Sequence, residues 1–202
     1  MSTTPALRVL GLPGSLRTGS YNRRLLEVAE ALAPPGVEVD IHGLDSLPLY
    51  SRDIEVDGDP PPVSGFKSSI AAADAVMIAT PEYNAGTTGV LKNAIDWASR
   101  PPRQSVLAGK PVAILGGGGR GGTRRAQAQV RAALEHPGAR VIEAPEVAVS
   151  GIRDKFDADG RLADDSVRDL VRDLVEALVA VARDGGRPLQ EHGDRTGSLL
   201  AA

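Results

Sequence analysis

The stretch Thr80 to Arg100 reads TPEYNAGTTGVLKNAIDWASR and joins two elements of different periodicity. It follows the apolar run Ala75 to Ala79, which has the length of a buried strand, and it continues into a helical stripe of apolar residues. Between them lie Pro81, Glu82, Tyr83 and Asn84, which combine a residue that fixes φ with three different polar side chains. Loops at the carboxyl ends of parallel strands form ligand sites in α/β proteins, so we predict that this loop is one wall of such a site.

The composition of the chain limits its class. With 202 residues, of which 42% are hydrophobic, the chain is long enough for one domain with a sizeable core. A net charge of -3 and an aromatic content of 3% argue against a nucleic-acid partner. The absence of cysteine excludes disulfides, thiolate nucleophiles and Fe–S clusters, and His42, His136 and His192 lack the spacing of metal ligands. We therefore predict no metal site.

The chain also lacks the usual signals for membranes and export. No apolar run reaches the roughly 18 residues of a membrane span. The first residues, MSTTPALRVLGLPGS, lack the basic segment and the long apolar core of a signal peptide. We expect a cytoplasmic protein with no membrane partner.

A second polar loop follows the first predicted strand, Leu7 to Leu12, and precedes a helical stripe that begins near Asn22. Ser20 is the predicted N-cap of that helix. Free backbone N–H groups and the positive end of the helix favour an anion there, and the Arg17 guanidinium suits phosphate oxygens. The loop thus predicts a site for a terminal phosphate, with neutral donors from Ser15, Thr18, Ser20 and Asn22.

Two common phosphate-binding motifs do not match this loop. Gly14 and Gly19 have the spacing of a nucleotide-triphosphate loop, but Ser20 stands where that motif requires Lys. The dinucleotide fingerprint G-x-G-x-x-G is also missing here. A capped helix whose loop binds nothing is the remaining alternative.

A third loop follows the predicted strand Pro111 to Leu115 and contains six glycines in the seven positions Gly116 to Gly122. Gly117, Gly119 and Gly122 match G-x-G-x-x-G, which leaves open a Rossmann-type NAD(P) enzyme that uses this loop. The match is weak, because a run this rich in glycine satisfies the spacing by composition. The glycines predict that the backbone passes close to something flat or bulky.

The remaining segments complete the prediction. We expect an irregular connection over Leu44 to Gly65, a short helix over Phe66 to Ala73, and a fifth strand over Val141 to Val149 that Pro145 interrupts. Trp97 is either a core residue or part of a subunit interface. Residues 184–202 have the composition of a disordered tail.

Strands alternate with helices five times in this interpretation, which predicts a doubly wound parallel sheet in the order 2-1-3-4-5. The loops after strands 1, 3 and 4 then meet at one crevice, because those three strands are neighbours. A phosphate cradle, a polar rim and a glycine floor would together hold a mononucleotide with a large flat ring.

Three segments resemble the NADPH-dependent FMN reductase family, a flavodoxin-like group of quinone, azo and chromate reductases: GSLRTGSYN (Gly14 to Asn22), the stretch Thr80 to Arg100, and GKPVAILGGGGRGGTRRAQ (Gly109 to Gln127). The resemblance implies a three-layer sandwich and one FMN-binding domain over residues 1–183. It implies that the FMN phosphate is held by Ser15, Arg17, Ser20, Tyr21 and Asn22. It further implies that Pro81 to Asn84 border the ring and the ribityl chain, and that the backbone of Gly116, Gly117, Gly118 and Gly119 faces the ring.

The same resemblance implies hydride transfer from NADPH or NADH, through flavin N5, to a quinone-like, azo, chromate or flavin acceptor. No catalytic protein residue is then required. It also implies a homodimer or homotetramer whose interface includes the helix Val90 to Trp97. A flavodoxin-type electron carrier and a flavin-binding protein without turnover remain alternatives. The sequence does not separate NADPH from NADH, although Arg120, Arg124 and Arg125 are candidates for binding a 2′-phosphate.

Overall fold

In the computed structural model, residues 6–185 are described, and strands alternate with helices along them. The strands are β1 (Leu7–Pro13), β2 (Val37–Ile41), β3 (Ala75–Ala79), β4 (Pro111–Gly117), β5 (Arg140–Val141) and β6 (Val147–Val149). The α-helices are α1 (Tyr21–Ala31), α2 (Arg52–Val56), α3 (Pro61–Ala72), α4 (Gly89–Ala98), α5 (Arg124–Glu135) and α6 (Asp165–Arg183), and a 3-10 helix spans Ile152–Lys155.

The sheet is parallel throughout and has the predicted order β2-β1-β3-β4-β5, with β6 also paired to β4. The predicted fifth strand is therefore two short strands, because Pro145 between them has no N–H to donate to β4. This order differs from the 3-2-1-4-5-6 order of dinucleotide-binding sheets, which counts against the Rossmann-type alternative.

Successive side chains of a strand point to opposite faces of the sheet, and each face is covered by helices, which gives three layers. In β3, Val76 and Ile78 pack in one hydrophobic cluster with residues of α3, α4 and α5, whereas Met77 and Ala79 pack in a second cluster with residues of α1 and α6. Helices therefore cover both faces of the sheet, and the predicted flavodoxin-like sandwich is confirmed.

The register of the central strands positions the three loops. Pro13, the last residue of β1, is aligned with Ala79, the last residue of β3, and Ala79 is aligned with Leu115 of β4. The loops that follow these strands therefore leave the sheet side by side at its carboxyl edge.

The segment predicted to be an irregular connection is partly helical. It contains α2, which Ser51 caps by accepting the Asp53 N–H, and α3 begins at Pro61 rather than at Phe66. Proline is tolerated in the first helical turn, where an N–H has no intrahelical partner. The prolines Pro60 to Pro62 therefore lie at the start of a helix within the segment predicted to be irregular.

Trp97 belongs to the core of the chain. Its side chain is fully buried, its Nε1 donates to the Pro48 carbonyl at 2.8 Å, and the Tyr50 ring meets it edge-on at 5.0 Å. The other apolar residues of α4 face the same core, and Gly89 and Lys92 are left exposed. An interface on this helix would therefore use polar residues, and the predicted oligomeric state stays a prediction.

None of the helices within residues 6–185 is long and apolar enough to cross a membrane. The predicted disordered tail lies outside the described residues, except for Asp184 and Gly185 in the turn that ends α6. The division of the chain at residue 183 therefore stays a prediction.

Candidate functional site

The loops after β1, β3 and β4 enclose one cavity, which we call the three-loop cleft. Ile152 of the 3-10 helix closes its floor, a residue that no sequence motif indicated. The predicted residues that line it are Ser15, Arg17, Ser20, Tyr21, Asn22, Pro81, Glu82, Tyr83, Gly117, Gly118 and Gly119. Thr18, Asn84 and Gly116, also predicted, are not in its wall.

One end of the three-loop cleft is the N-terminus of α1. Ser20 caps this helix as predicted: its hydroxyl accepts the Arg23 N–H at 3.4 Å, and its carbonyl accepts the Arg24 N–H at 3.1 Å. The N–H groups of Tyr21 and Asn22 have no acceptor among residues 6–185. Two free N–H groups at the positive end of a helix favour an anion.

Side chains of the β1 loop surround this helix end. The Ser15 hydroxyl is buried, lies 3.5 Å from the Tyr83 hydroxyl and accepts the Arg17 N–H at 3.4 Å. The exposed Arg17 guanidinium lies 5.7 Å from the centre of the Tyr21 ring. Hydroxyls and one cation thus lie beside the free N–H groups, which is the donor set that a phosphate requires.

Asn22 uses its side chain within the protein. Its Nδ2 donates to the Gly117 carbonyl at 3.0 Å, and its Oδ1 accepts the Gly117 N–H at 2.9 Å. β3 pairs with β4 only as far as Leu115, so beyond that point the Asn22 amide takes the place of the neighbouring strand. Asn22 therefore links the start of α1 to the end of β4.

The Pro81 to Asn84 loop ends in a tight hairpin. Tyr83 and Gly86 exchange two backbone hydrogen bonds of 3.0 Å, and Asn84 and Ala85 have φ values of 50° and 63°, the signs of a type I′ turn. Asn tolerates this conformation, whereas Ala adopts it rarely, so the turn stores strain. The hairpin presents the Tyr83 side chain, which is 53% exposed, at the mouth of the cleft.

Glu82 borders the cleft, but its carboxylate caps α5. The carboxylate accepts the N–H groups of Arg125 and Ala126 at 3.0 and 3.2 Å, and it pairs with the Arg125 guanidinium at 2.5 Å. Thr123, the N-cap residue of α5, makes no side-chain cap bond. The Glu82 side chain is 8% exposed, and its bond to Arg125 lowers the pKa of the carboxyl below its ordinary value. Glu82 thus ties the β3 loop to α5.

We expect Glu82→Gln to lower the melting temperature at pH 7, because Gln retains an acceptor but not the charge that pairs with Arg125. A lowered carboxyl pKa stabilises the fold above the unfolded value of about 4.3, and this stabilisation is lost as the pH falls through the folded pKa. The difference in melting temperature between the two proteins should therefore stay constant from pH 7 to about pH 5 and shrink in more acidic buffer. A difference that is the same at pH 3 would contradict this.

Packing within the protein requires glycine at several positions of the loop Gly116 to Gly122. A Cβ on Gly116 would lie 2.2 Å from the Thr80 carbonyl oxygen, one on Gly117 would lie 2.4 Å from Ile152, and one on Gly118 would lie 2.5 Å from the Gly122 carbonyl oxygen. A Cβ on Gly119 would have no atom within 4 Å. Packing inside the protein therefore already requires glycine at Gly116 to Gly118, and Gly119 has no such requirement. That the backbone of the run faces a flat ligand stays a prediction.

Fold and site together define an α/β protein of the flavodoxin type with a cleft at the carboxyl edge of its sheet. Residues 7–154 match the family described as NADPH-dependent FMN reductase. The chain belongs to that family, as its sequence motifs predicted.

Individual relatives agree with this assignment. The chain is 49% identical over 173 residues to an NAD(P)H-dependent FMN reductase of Pseudomonas aeruginosa. The aligned residues cover 85% of this chain and 93% of that protein. It is 40% identical over 188 residues to an NAD(P)H:quinone oxidoreductase of Solanum tuberosum, with coverages of 90% and 96%. Among solved structures, the flavoenzyme NAD(P)H:(acceptor) oxidoreductase FerB of Paracoccus denitrificans superposes with a TM-score of 0.79 at 34% identity, over 90% of this chain and 100% of that one.

Proposed function

We propose that the chain binds FMN in the three-loop cleft and passes hydride from NADPH or NADH to a small quinone-like acceptor. One observation carries this proposal: in a member of this family, two free helix N–H groups, the Ser15 hydroxyl and the Arg17 guanidinium meet at one end of the cleft. That donor set suits the terminal phosphate of a mononucleotide.

The phosphate end of the cleft would be served by the β1 loop. Ser15, Thr18 and Ser20 would supply hydroxyl donors, and Arg17 would supply the cation. Because the Asn22 side chain is used by Gly117, Asn22 would contribute its backbone N–H together with that of Tyr21. Asn22 also holds the β1 and β4 loops together, so it supports both ends of the bound molecule.

The other end of the cleft suits a flat ring. Pro81 and Tyr83 form one wall, and the Asn84 side chain would be a hydrogen-bond partner at the rim. Gly119, with open space above it, leaves its backbone accessible to the ring. The cleft encloses about 240 Å³, below the roughly 300–1,000 Å³ of pockets that enclose a ligand, so one face of the ring would stay open.

The protein would bind and orient, and the bound FMN would supply the hydride-transfer chemistry. Glu82, the carboxylate that lines the cleft, is already held by Arg125 and two backbone N–H groups. It is therefore poorly placed to act as a base. Within residues 6–185 there is also no group of three or more His, Asp or Glu side chains that could hold a metal ion.

The experiment that tests this function begins with FMN loading. We expect the purified protein to be yellow or to become yellow with FMN, and we expect NADPH or NADH to bleach it without oxygen. Benzoquinone should then restore the colour. A yellow protein that neither nicotinamide bleaches would be a flavin-binding protein without turnover or an electron carrier, and a protein that retains no FMN would contradict the proposal outright.

We expect Arg17→Ala to raise the Kd for FMN about 10- to 100-fold, since a hydrogen bond to a charged group contributes about 1.5–3 kcal/mol. Quenching of FMN fluorescence measures this Kd. Arg24→Ala is the matched control, because the Arg24 guanidinium also lies over the Tyr21 ring, at 5.5 Å, but does not line the cleft. Equal Kd values for the two variants would contradict the phosphate assignment.

We also infer that the chain forms a homodimer or homotetramer. Support comes from two apolar side chains next to α4: Leu49 is 81% exposed and Val56 is 71% exposed. Their segment is held to α4 by the bonds from Trp97 and Asn93 to the Pro48 carbonyl. Sedimentation velocity of the FMN-loaded protein tests this, and a monomer at micromolar concentration would contradict it.

A further inference from the structure

Three arginines follow the β4 strand within a few residues of one another: Arg120, Arg124 and Arg125. Their sequence positions do not show which of them is free to bind a ligand. The structure separates them by their partners, and the inference that follows rests on the proposed use of a nicotinamide dinucleotide.

Arg124 and Arg125 are both committed to carboxylates. The Arg124 Nε donates to both oxygens of Glu146, at 3.0 and 3.1 Å. Arg125 donates its Nε to Glu82 at 2.9 Å, and this pair also holds the start of α5. A phosphate bound by either guanidinium would lie beside a carboxylate of the same sign of charge, which weakens its binding.

Arg120 has no such partner. Its side chain is exposed, and no carboxylate of residues 6–185 lies within 4.0 Å of it. It directly follows Gly119, which lines the three-loop cleft. The Gly119 carbonyl accepts the N–H groups of Gly122 and Gly151 at 3.1 and 3.0 Å, so the backbone that carries Arg120 is anchored on two sides.

The surface around Arg120 at the edge of the three-loop cleft has more unpaired positive than negative side chains. Arg153 follows Ile152, whose N–H donates to the Gly118 carbonyl at 3.0 Å, and Arg153 makes no ion pair among the described residues. Of the carboxylates nearby, Glu82 and Glu146 are paired with arginines, and Asp154 remains, beside Gly151. Arg17, on the β1 side, is assigned to the FMN phosphate. Arg120 and Arg153 each follow a residue of the cleft wall, and Arg120 is the one that adjoins Gly119, around which the space is open.

We propose that Arg120 binds the 2′-phosphate of NADPH and determines a preference for NADPH over NADH. A guanidinium presents a planar fork that matches phosphate oxygens, and NADH lacks the group that would pair with it. A dinucleotide whose nicotinamide reaches the open ring face has its adenosine end outside the cleft. A cation on the rim is suited to that end.

The test compares four FMN-loaded proteins: the wild type, Arg120→Ala, Arg120→Lys and the matched control Arg124→Ala. We expect Arg120→Ala to lower the ratio of kcat/KM for NADPH to kcat/KM for NADH about tenfold or more, through the KM for NADPH, since hydrogen bonds between charged groups are the strong ones. Lys should restore part of the ratio. Arg124→Ala should leave it unchanged, because its guanidinium is already paired with Glu146.

A binding measurement provides a readout that is independent of turnover. Calorimetry with adenosine 2′,5′-bisphosphate and with AMP on the FMN-loaded proteins should show that Arg120→Ala weakens the bisphosphate about tenfold and AMP far less. The FMN Kd of this variant should match that of the wild type, which separates the Arg120 subsite from the Arg17 site.

The outcomes distinguish this inference from the proposed function. A wild type that uses NADPH and NADH equally, or an unchanged ratio in Arg120→Ala, overturns the assignment of Arg120 alone. A shift in the ratio caused by Arg153→Ala and not by Arg120→Ala overturns it as well. If the wild type binds the bisphosphate through Arg120 but is bleached by neither nicotinamide, the proposed function fails and the anion subsite stands.

Discussion

Replacing Gly116 with Ala should lower the free energy of unfolding by about 3 kcal/mol or more. The added Cβ would lie 2.2 Å from the Thr80 carbonyl oxygen and 2.6 Å from the Thr123 Oγ1. Neither atom can move freely, because the Thr80 N–H donates to the Leu115 carbonyl at 2.9 Å and Thr123 is fully buried at the start of α5. The methyl group would therefore force β3 and β4 apart at the edge that forms the cleft.

Gly119→Ala is the matched control for this substitution. It lies three positions further along the same loop, and a Cβ there would meet no atom within 4 Å. We expect its free energy of unfolding to stay within about 0.5 kcal/mol of the wild type. Urea denaturation of the FMN-free proteins measures both values. Two variants of equal stability would show that the loop relaxes around the Gly116 methyl group.

Asn22→Ala should lower the free energy of unfolding by about 2–4 kcal/mol and should also weaken FMN binding. The substitution leaves the N–H and the carbonyl of Gly117 without their partner in a buried site, and each unsatisfied group costs about 1–3 kcal/mol. It also releases the end of β4 from the start of α1, so the phosphate and ring ends of the cleft lose their fixed spacing.

Asn93→Ala is the control that separates the two effects. The Asn93 side chain makes the same kind of paired contact elsewhere: its Oδ1 accepts the Tyr50 N–H at 2.8 Å, and its Nδ2 donates to the Pro48 carbonyl at 2.9 Å. We expect a loss of stability of about 1–3 kcal/mol, because the Tyr50 N–H loses its acceptor while the Pro48 carbonyl keeps its bond from Trp97, and we expect the FMN Kd to be unchanged. If Asn22→Ala is destabilised but binds FMN as the wild type does, the role of Asn22 in spacing the two ends is refuted.

Much of the fold could be predicted from local patterns. The apolar runs and the helical stripes reflect which side chains leave water, and this information is carried by residues close together in the chain. The Ser20 cap was predictable for the same reason, because its hydroxyl bonds to an N–H only three residues away. The PEYN and LKNAIDW motifs then indicated the family, which the matched residues 7–154 confirm.

Contacts between distant residues could not be predicted in this way. The sequence predicts that Glu82 borders the flavin but does not indicate its partner, Arg125, which lies 43 positions further along the chain. Asn22 likewise bonds to Gly117, 95 positions away. A polar residue in the sequence indicates that its side chain needs a hydrogen-bond partner. It does not indicate which residue is that partner. The same limit applies to Trp97, whose Nε1 bonds to Pro48, 49 positions earlier in the chain.

The glycine loop shows the division most clearly. The sequence by itself determined that a strand, a flexible turn and a helix follow one another there, and that the loops after three neighbouring strands meet at one edge. Only the tertiary structure decided which glycines are required by the protein and which are free for a ligand, because the atoms that would strike a Cβ at Gly116 or Gly117 belong to Thr80 and Ile152. Whether an added atom would collide with its neighbours depends on positions in three dimensions. The local sequence pattern does not contain that information.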